Sequence, residues 1–403
     1  MEINNNAYRK LETPFFLLDE KVLLDEIATL RQAISSYWPQ TIIGYSVKTN
    51  SFPPLLKILS EHQICAEVVS IDEYELATIM GYNHQQIICN GPIKSEAWIN
   101  RILQEGNILN IDSKRELRYI QNYAKQHLTD RVSIGIRINI DLEHLFPGES
   151  NAGIDGSRFG FSYETGELEE AILFLKQIPN VHISGLHLHT STRTRSIEIY
   201  RWLTQLFCNI VAKYQLTDIT YFDIGGGFYG GIPDKPSWKE YIREISSVLS
   251  TNGYTPEKLK LIIEPGVSLI AGCFSYHCTV VDTKRTAQKQ IVVLDGSRIH
   301  IDPLFHKRSY FYEIRKQQQM PIVANQQLVG FTCLENDRFF QLEDEEELNE
   351  GDQIIFDKVG AYTMTFSPLF ISYFPAIYIQ TKEQDIKLLR SKWGVNEFIQ
   401  LSL

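Results

Sequence analysis

The sequence predicts an α/β protein: a (β/α)₈ barrel followed by a second domain of β-sandwich or β-barrel type. Three observations predict it. Short apolar runs alternate with helical segments up to about residue 265. Beyond about residue 270 the texture turns to strands and turns, with few long helical stretches. The 403 residues exceed one ordinary small domain and suit a barrel of about 250 residues plus a smaller partner.

The apolar runs are Ile42–Val47, Ala66–Val69, Gln86–Cys89, Ile108–Ile111, Val132–Ile138, Ile183–Leu188, Tyr221–Ile224 and Leu261–Ile263. Runs apolar on both faces and alternating with helices imply a parallel sheet. Their number fits a closed barrel; a doubly wound sheet is the alternative, because periodicity alone does not close a barrel. Later strands are expected at Cys278–Val281, Gln290–Asp295, Gln327–Thr332, Gln353–Asp357 and Ala376–Gln380. The early run Phe15–Leu18 is expected to pair with that later sheet. The expected division is 1–30 for this strand segment, 31–269 for the barrel and 270–403 for the β-rich domain.

Composition narrows the class. Hydrophobic residues make up 43% and charged residues 22%, a globular balance. The formal net charge of -10 argues against a nucleic-acid partner. Residues 1–10 show no apolar leader segment. The apolar stretch Phe366–Ile379 is interrupted by Pro368 and Pro375 and is too short to span a bilayer. A cytoplasmic protein without a membrane partner is expected. The six cysteines form no CxxC pair, so free thiols are expected and a structural metal is not.

Chemistry is expected where barrel strands end and loops begin. The first run ends in Tyr45-Ser-Val-Lys48-Thr-Asn50. A lysine there points into the barrel mouth, where partial desolvation favours a nucleophilic amine; alone, it also reads as a lysine snorkelling at a strand end. The seventh run ends in Asp223-Ile-Gly225-Gly226-Gly227, whose backbone N–H groups suit an anion or a tight turn. The eighth ends in Glu264-Pro-Gly266, a carboxylate for a cationic ring nitrogen or a helix-capping acid. In Gly185-Leu-His187-Leu-His189 the histidines share a face, suiting stacking on a flat cofactor or, less well supported, a metal.

As a set, these residues resemble the ornithine/diaminopimelate/arginine decarboxylase family, fold-type III pyridoxal-phosphate enzymes with an alanine-racemase-like barrel. The resemblance runs from Thr13-Pro14-Phe15 to about Tyr378. It implies pyridoxal 5′-phosphate as cofactor, held through Lys48, Arg137, His189, Thr192, Gly225, Gly226, Gly227, Glu264, Gly266 and Tyr362. Ser157-Arg-Phe-Gly160 matches a further family segment. Lys48, His189 and Cys333 are the implied catalytic residues, Cys333 as a proton donor across a dimer interface. The implied reaction is loss of the α-carboxylate from an amino acid or amino-acid conjugate. A homodimer with shared active sites is the implied assembly. A racemase or epimerase on the same barrel, with Tyr362 as base, is the alternative; a non-catalytic cofactor-binding homologue is a third.

Several positions depart from the family pattern. Val267 stands where an arginine usually follows Glu-Pro-Gly, and Leu334 follows Cys333 in place of an acid that binds a distal amine. Glu335 or Asp337 is the expected substitute for that acid. Asp302 falls where diaminopimelate decarboxylases carry an arginine for the distal carboxylate, and an acid there would repel it. Diaminopimelate is therefore not the expected substrate. The segment Gly360–Pro368 resembles a specialised-metabolism branch acting on carrier-bound or conjugated amino acids.

Overall fold

The computed structural model describes residues 11–400. The expectation about residues 1–10 lies outside the described residues. The chain divides into two compact units. One runs Glu26–Leu269; the other joins the described residues before it to those after it. The division falls inside the helix Glu20–Tyr37, whose first turn groups with the strand leading into it.

The strands are numbered in chain order, with β1 (Phe15–Asp19) in the second unit. The barrel unit contains β2 (Thr41–Ser46), β3 (Cys65–Val68), β4 (Ile87–Cys89), β5 (Ile108–Ile111) and β6 (Val132–Asn139). After the short β7 (Phe161–Ser162) come β8 (Val181–His187), β9 (Tyr221–Asp223) and β10 (Lys260–Ile263). The order β5-β4-β3-β2-β10-β9-β8-β6 closes through β5 against β6, and every pairing is parallel. These eight barrel strands are the eight apolar runs of the sequence, while β7 extends β6 outside the ring.

Serine side chains start four of the helices between strands. Ser70, Ser95, Ser196 and Ser237 accept N–H groups at the starts of Ile71–Ile79, Glu96–Glu105, Ile197–Lys213 and Trp238–Thr251. Each such cap contributes about 1 kcal/mol.

The barrel interior is layered by strand periodicity. Ile88, Tyr221 and Ile262 form an apolar layer with Ile42 and Ile108 against it. Two residues on, a strand presents the same face again. The residues found there are Asn90, Asn110, Asp223 and Glu264, all at most 5% exposed. The interior therefore changes from apolar to polar within one pleat repeat. Tyr221 reaches across the ring because β8 carries Gly185: a Cβ there would stand 2.0 Å from the Tyr221 ring.

The second unit is a nine-stranded mixed sheet of β1 and eight later strands. These are β11 (Phe274–Arg285), β12 (Gln290–Leu294), β13 (Phe311–Arg315), β14 (Ile322–Val329), β15 (Arg338–Glu346), β16 (Gln353–Asp357), β17 (Ala376–Gln380) and β18 (Ile386–Arg390). The order is β15-β14-β12-β11-β1-β17-β18, with β16 between β11 and β13. β1 pairs antiparallel with β11, Phe15 opposite His277, and parallel with β17, Phe15 opposite Ala376. A register shift between Val280 and Asp282 lets one long strand serve β1 and β16 with its first half and β12 with its second. Among the described residues no helix is long and apolar enough to cross a membrane.

Candidate active site

Strand β2 ends at Ser46 and runs into a single 3₁₀ turn, Val47–Thr49. That turn carries Lys48 to the wall of a cavity of about 590 Å³, which Glu67, Asn90, Arg137, His189 and Glu264 also line. The Lys48 side chain is 42% exposed while its acid partner Glu67 is 1% exposed. The amine is thus reachable and its counter-charge is not. Lys48 Nζ donates to Glu67 Oε2 at 2.7 Å and to Ser46 Oγ at 2.6 Å. Ser46 Oγ in turn donates to Glu67 Oε2 at 2.5 Å.

Glu264, at the end of β10, forms the other pole. Asn90 Nδ2 donates to its Oε1 at 2.5 Å, and His187 Nε2 stands 3.5 Å from its Oε2. His187, Asp223 and Glu264 present ligand atoms all within 4.8 Å of one another, every residue buried. Burial, then the neighbouring Glu264, pushes the Asp223 carboxyl well above its ordinary range. Burial would raise Glu264 as well, but His187 and Lys48 hold it below the usual carboxylate range. One proton thus resides on Asp223 and the charge on Glu264.

His189 is half-buried on the cavity wall, and desolvation and the Arg137 guanidinium push its pKa down to about 3. The ring is neutral at physiological pH. Gly226 N–H donates to its Nδ1 at 3.0 Å, which assigns the ring proton to Nε2. The glycine turn is shaped around this ring. Gly225 has a φ of +70°, and a Cβ on it would stand 2.5 Å from the His189 side chain. Gly225 N–H donates to Asp223 Oδ1 at 3.0 Å. Two of the three N–H groups expected to meet an anion are therefore already engaged.

Arg137, in β6, pairs through Nη1 with Asp112 Oδ2 at 3.3 Å and lies 4.7 Å from the Phe159 ring centre. Its buried Nε has no hydrogen-bond partner. Asp112 Oδ1 accepts Gly160 N–H at 3.1 Å, which ties in the Ser157–Gly160 segment. Behind it, Glu116 Oε2 accepts Asp112 N–H at 2.8 Å and meets Lys94 Nζ at 3.2 Å, both side chains wholly buried. Lys94 Nζ also donates to Gly91 O at 2.6 Å, on the cavity wall.

The remaining expected residues lie differently. The loop after β8 gives Thr190 and Ser191 to the cavity wall, while the Thr192 hydroxyl accepts Arg195 N–H at 3.2 Å. Gly266 abuts Thr49 in the barrel unit. Cys333, Tyr362, Asp302, Glu335 and Asp337 all belong to the second unit. Cys333 is an exposed free thiol, and Tyr362 stacks on Phe366 with ring centres 5.8 Å apart.

The carboxylates of Asp302 and Asp337, two of the expected substrate contacts, are both engaged within the second unit. Asp302 Oδ2 takes two contacts from Arg298, at 2.9 and 2.7 Å, and the N–H of Lys307 at 3.0 Å. Asp337 takes Ser297 Oγ, Arg298 N–H and Thr332 Oγ1. Glu335 differs, with a side chain 96% exposed beside Arg338. The site also contains residues the sequence reading passed over, Glu67, Asn90, Asn110 and Asp112, and it brings in His187, expected to share the face of His189, and Asp223, the first residue of the glycine motif. Their signal was a polar residue at or just beyond the end of an otherwise apolar barrel strand.

A closed parallel barrel is joined here to an accessible lysine with a buried acid partner, a neutral flat histidine and an ionised carboxylate. His187 Nδ1 and Arg137 Nε, without hydrogen-bond partners, leave polar capacity beside the same cavity for an aromatic, anionic guest. Fold and site define a fold-type III pyridoxal-phosphate enzyme. The family "Pyridoxal-dependent decarboxylase, pyridoxal binding domain" matches residues 24–271, and the chain belongs to that family. It is 26% identical to a diaminopimelate decarboxylase of Aquifex aeolicus over 97% of this chain and 92% of that protein. It is 27% identical to one of Bacteroides thetaiotaomicron over 89% and 92%. The crystal structure of Helicobacter pylori diaminopimelate decarboxylase complexed with L-lysine superposes with a TM-score of 0.83 at 24% identity, covering 99% of both chains. The protein is a pyridoxal-phosphate-dependent amino-acid decarboxylase, a carboxy-lyase.

Proposed function

We propose that Lys48 is the cofactor-binding lysine, that Glu264 faces the cofactor's ring nitrogen, and that the substrate is a free amino acid, with diaminopimelate the first candidate. One observation carries this reading: the Lys48 amine and the Glu264 carboxylate line one cavity and are joined through Glu67 and Asn90. Bound pyridoxal phosphate supplies an electron sink that lets an α-carboxylate leave as CO₂.

This chain's residues do the rest. Lys48 would hold the cofactor aldehyde through its amine, which Glu67 and Ser46 orient. The neutral His189 ring packs flat on the cofactor. Glu264 holds a proton at the facing ring nitrogen. Gly227 offers its N–H to the phosphate, since those of Gly225 and Gly226 serve Asp223 and His189. Cys333 protonates the product, and the assembly is a cytoplasmic homodimer; a dimer mass in solution and slowed turnover of Cys333→Ala test these points.

The substrate reading departs from the sequence expectation. That expectation rested on repulsion by Asp302, whose charge Arg298 neutralises at 2.7 Å. The names of the similar proteins support diaminopimelate. The Gly360–Pro368 segment favours a second reading, a conjugated amino acid. A panel of diaminopimelate, other basic or acidic amino acids and conjugates, assayed for CO₂, decides between them. Borohydride reduction should attach the cofactor to the peptide holding Lys48, and Lys48→Ala should lose both the attachment and more than about a hundredfold of activity. Attachment elsewhere would sink the assignment.

A further inference from the structure

Beneath the cavity runs a chain of side-chain amides that joins its two poles. Asn90 Nδ2 donates one N–H to Glu67 Oε1 at 3.1 Å and the other to Glu264 Oε1 at 2.5 Å. Its Oδ1 accepts Asn110 Nδ2 at 2.9 Å. Asn110 Nδ2 also donates to Asp223 Oδ2 at 2.9 Å, and its Oδ1 accepts the Tyr221 hydroxyl at 2.9 Å. The ionised Glu264 accepts only, so Asn90 Nδ2 must face it; that turns Asn90 Oδ1 towards Asn110, whose Nδ2 must then be the donor. Both asparagines are at most 2% exposed, and every polar atom of both side chains has a partner.

We infer that Asn90 is a positioning residue whose single amide holds Glu67 and Glu264 charged and apart, and so couples the lysine pole of the cavity to the ring-nitrogen pole. The inference rests on the roles proposed for Lys48 and Glu264. Three carboxylates, Glu67, Asp223 and Glu264, are buried around this floor. Left alone they would repel one another and take up protons. An amide between two of them supplies an N–H to each without adding charge, which a lysine or a water would not do in the same fixed geometry. Asn110 repeats the device towards Asp223. The charged and titratable groups that act on these acids are Lys48, Glu73 on the helix Ile71–Ile79, Cys89, His187, His189 and Tyr221, besides the acids themselves.

The test uses the holoenzyme and two variants, Asn90→Asp and Asn90→Ser. Removing the donors takes a hydrogen bond from each acid and raises the proton affinity of Glu264. The pH midpoint of the bound cofactor's visible spectrum, and the acid limb of kcat, should move up by about one to two units in both. The KM should change less than kcat, and borohydride labelling of Lys48 should persist. An unmoved midpoint in a folded, loaded variant overturns the inference and leaves the Lys48 assignment intact. Loss of the cofactor from both folded variants also overturns it, by making Asn90 a cofactor ligand. Failure of both variants to fold overturns it too, by making the residue structural. Labelling of a residue other than Lys48 in the parent enzyme would instead strike the reading on which the inference rests.

Discussion

Removing the Lys94 amine while keeping its acid tests the most deeply buried ion pair of the barrel unit. Lys94 and Glu116 are both 0% exposed and 3.2 Å apart. Glu116 Oε2 also holds Asp112 N–H, while Oε1 has no partner. In Lys94→Met the carboxylate keeps one backbone donor and loses its only cation. A stranded charge of this kind costs about 3–5 kcal/mol. The sign with pH follows. Burial already raises the Glu116 carboxyl, with Lys94 opposing the rise. Without Lys94 the folded form binds that proton more tightly than the unfolded chain. The variant's deficit is then smallest in mild acid and grows by about 1.4 kcal/mol per pH unit until the folded carboxyl ionises. Urea unfolding at pH 5 and pH 8 reads both effects. Lys94→Met/Glu116→Leu removes both charges and should recover to within about 1–2 kcal/mol of the parent. A single variant within about 1 kcal/mol of the parent at pH 8, or a double variant no better than the single, would refute this account.

Two further outcomes are expected. Glu67→Gln keeps the shape beside Lys48 but removes the charge; losing a charge-assisted hydrogen bond of about 1.5–3 kcal/mol should lower kcat roughly ten- to a hundredfold, and undiminished turnover would remove Glu67 from the machinery. His277 and His300 are buried neutral, their pKa values pushed down by burial to about 3 and 4. Each binds its proton more readily when unfolded, so stability is full above about pH 6.5 and falls on acidification, by about 2 kcal/mol per histidine at pH 5. A melting temperature flat from pH 8 to pH 5 would contradict that burial.

The barrel was legible because its strands are apolar on both faces and each is followed by a helix, several with a serine cap. The sheet of the second unit was only partly so. β13, β15 and β18 went unread, and they lie at the margins of the sheet. Such strands keep one or both faces in water; Arg338-Phe-Phe-Gln-Leu-Glu-Asp-Glu-Glu346 carries four acids and reads as a loop. In the site, residues at the ends of strands or in glycine turns were readable: Lys48, His189, Gly225 and Glu264. Glu67 and Asn110 were not, because a single polar residue within an apolar run breaks no periodicity. For Asp302 the neutralising partner, Arg298, was visible in the sequence but could not be oriented without the fold.

That last pair has a consequence for redesign. Asp302 is the hub of a small knot: Arg298, the N–H groups of His306 and Lys307 and the Tyr310 hydroxyl all converge on it. Grafting an arginine onto this position, to imitate relatives that grip a second carboxylate, would set two guanidiniums face to face and release two backbone donors. Exchanging specificity at this point is therefore a swap of the whole 298–310 segment, not of one side chain.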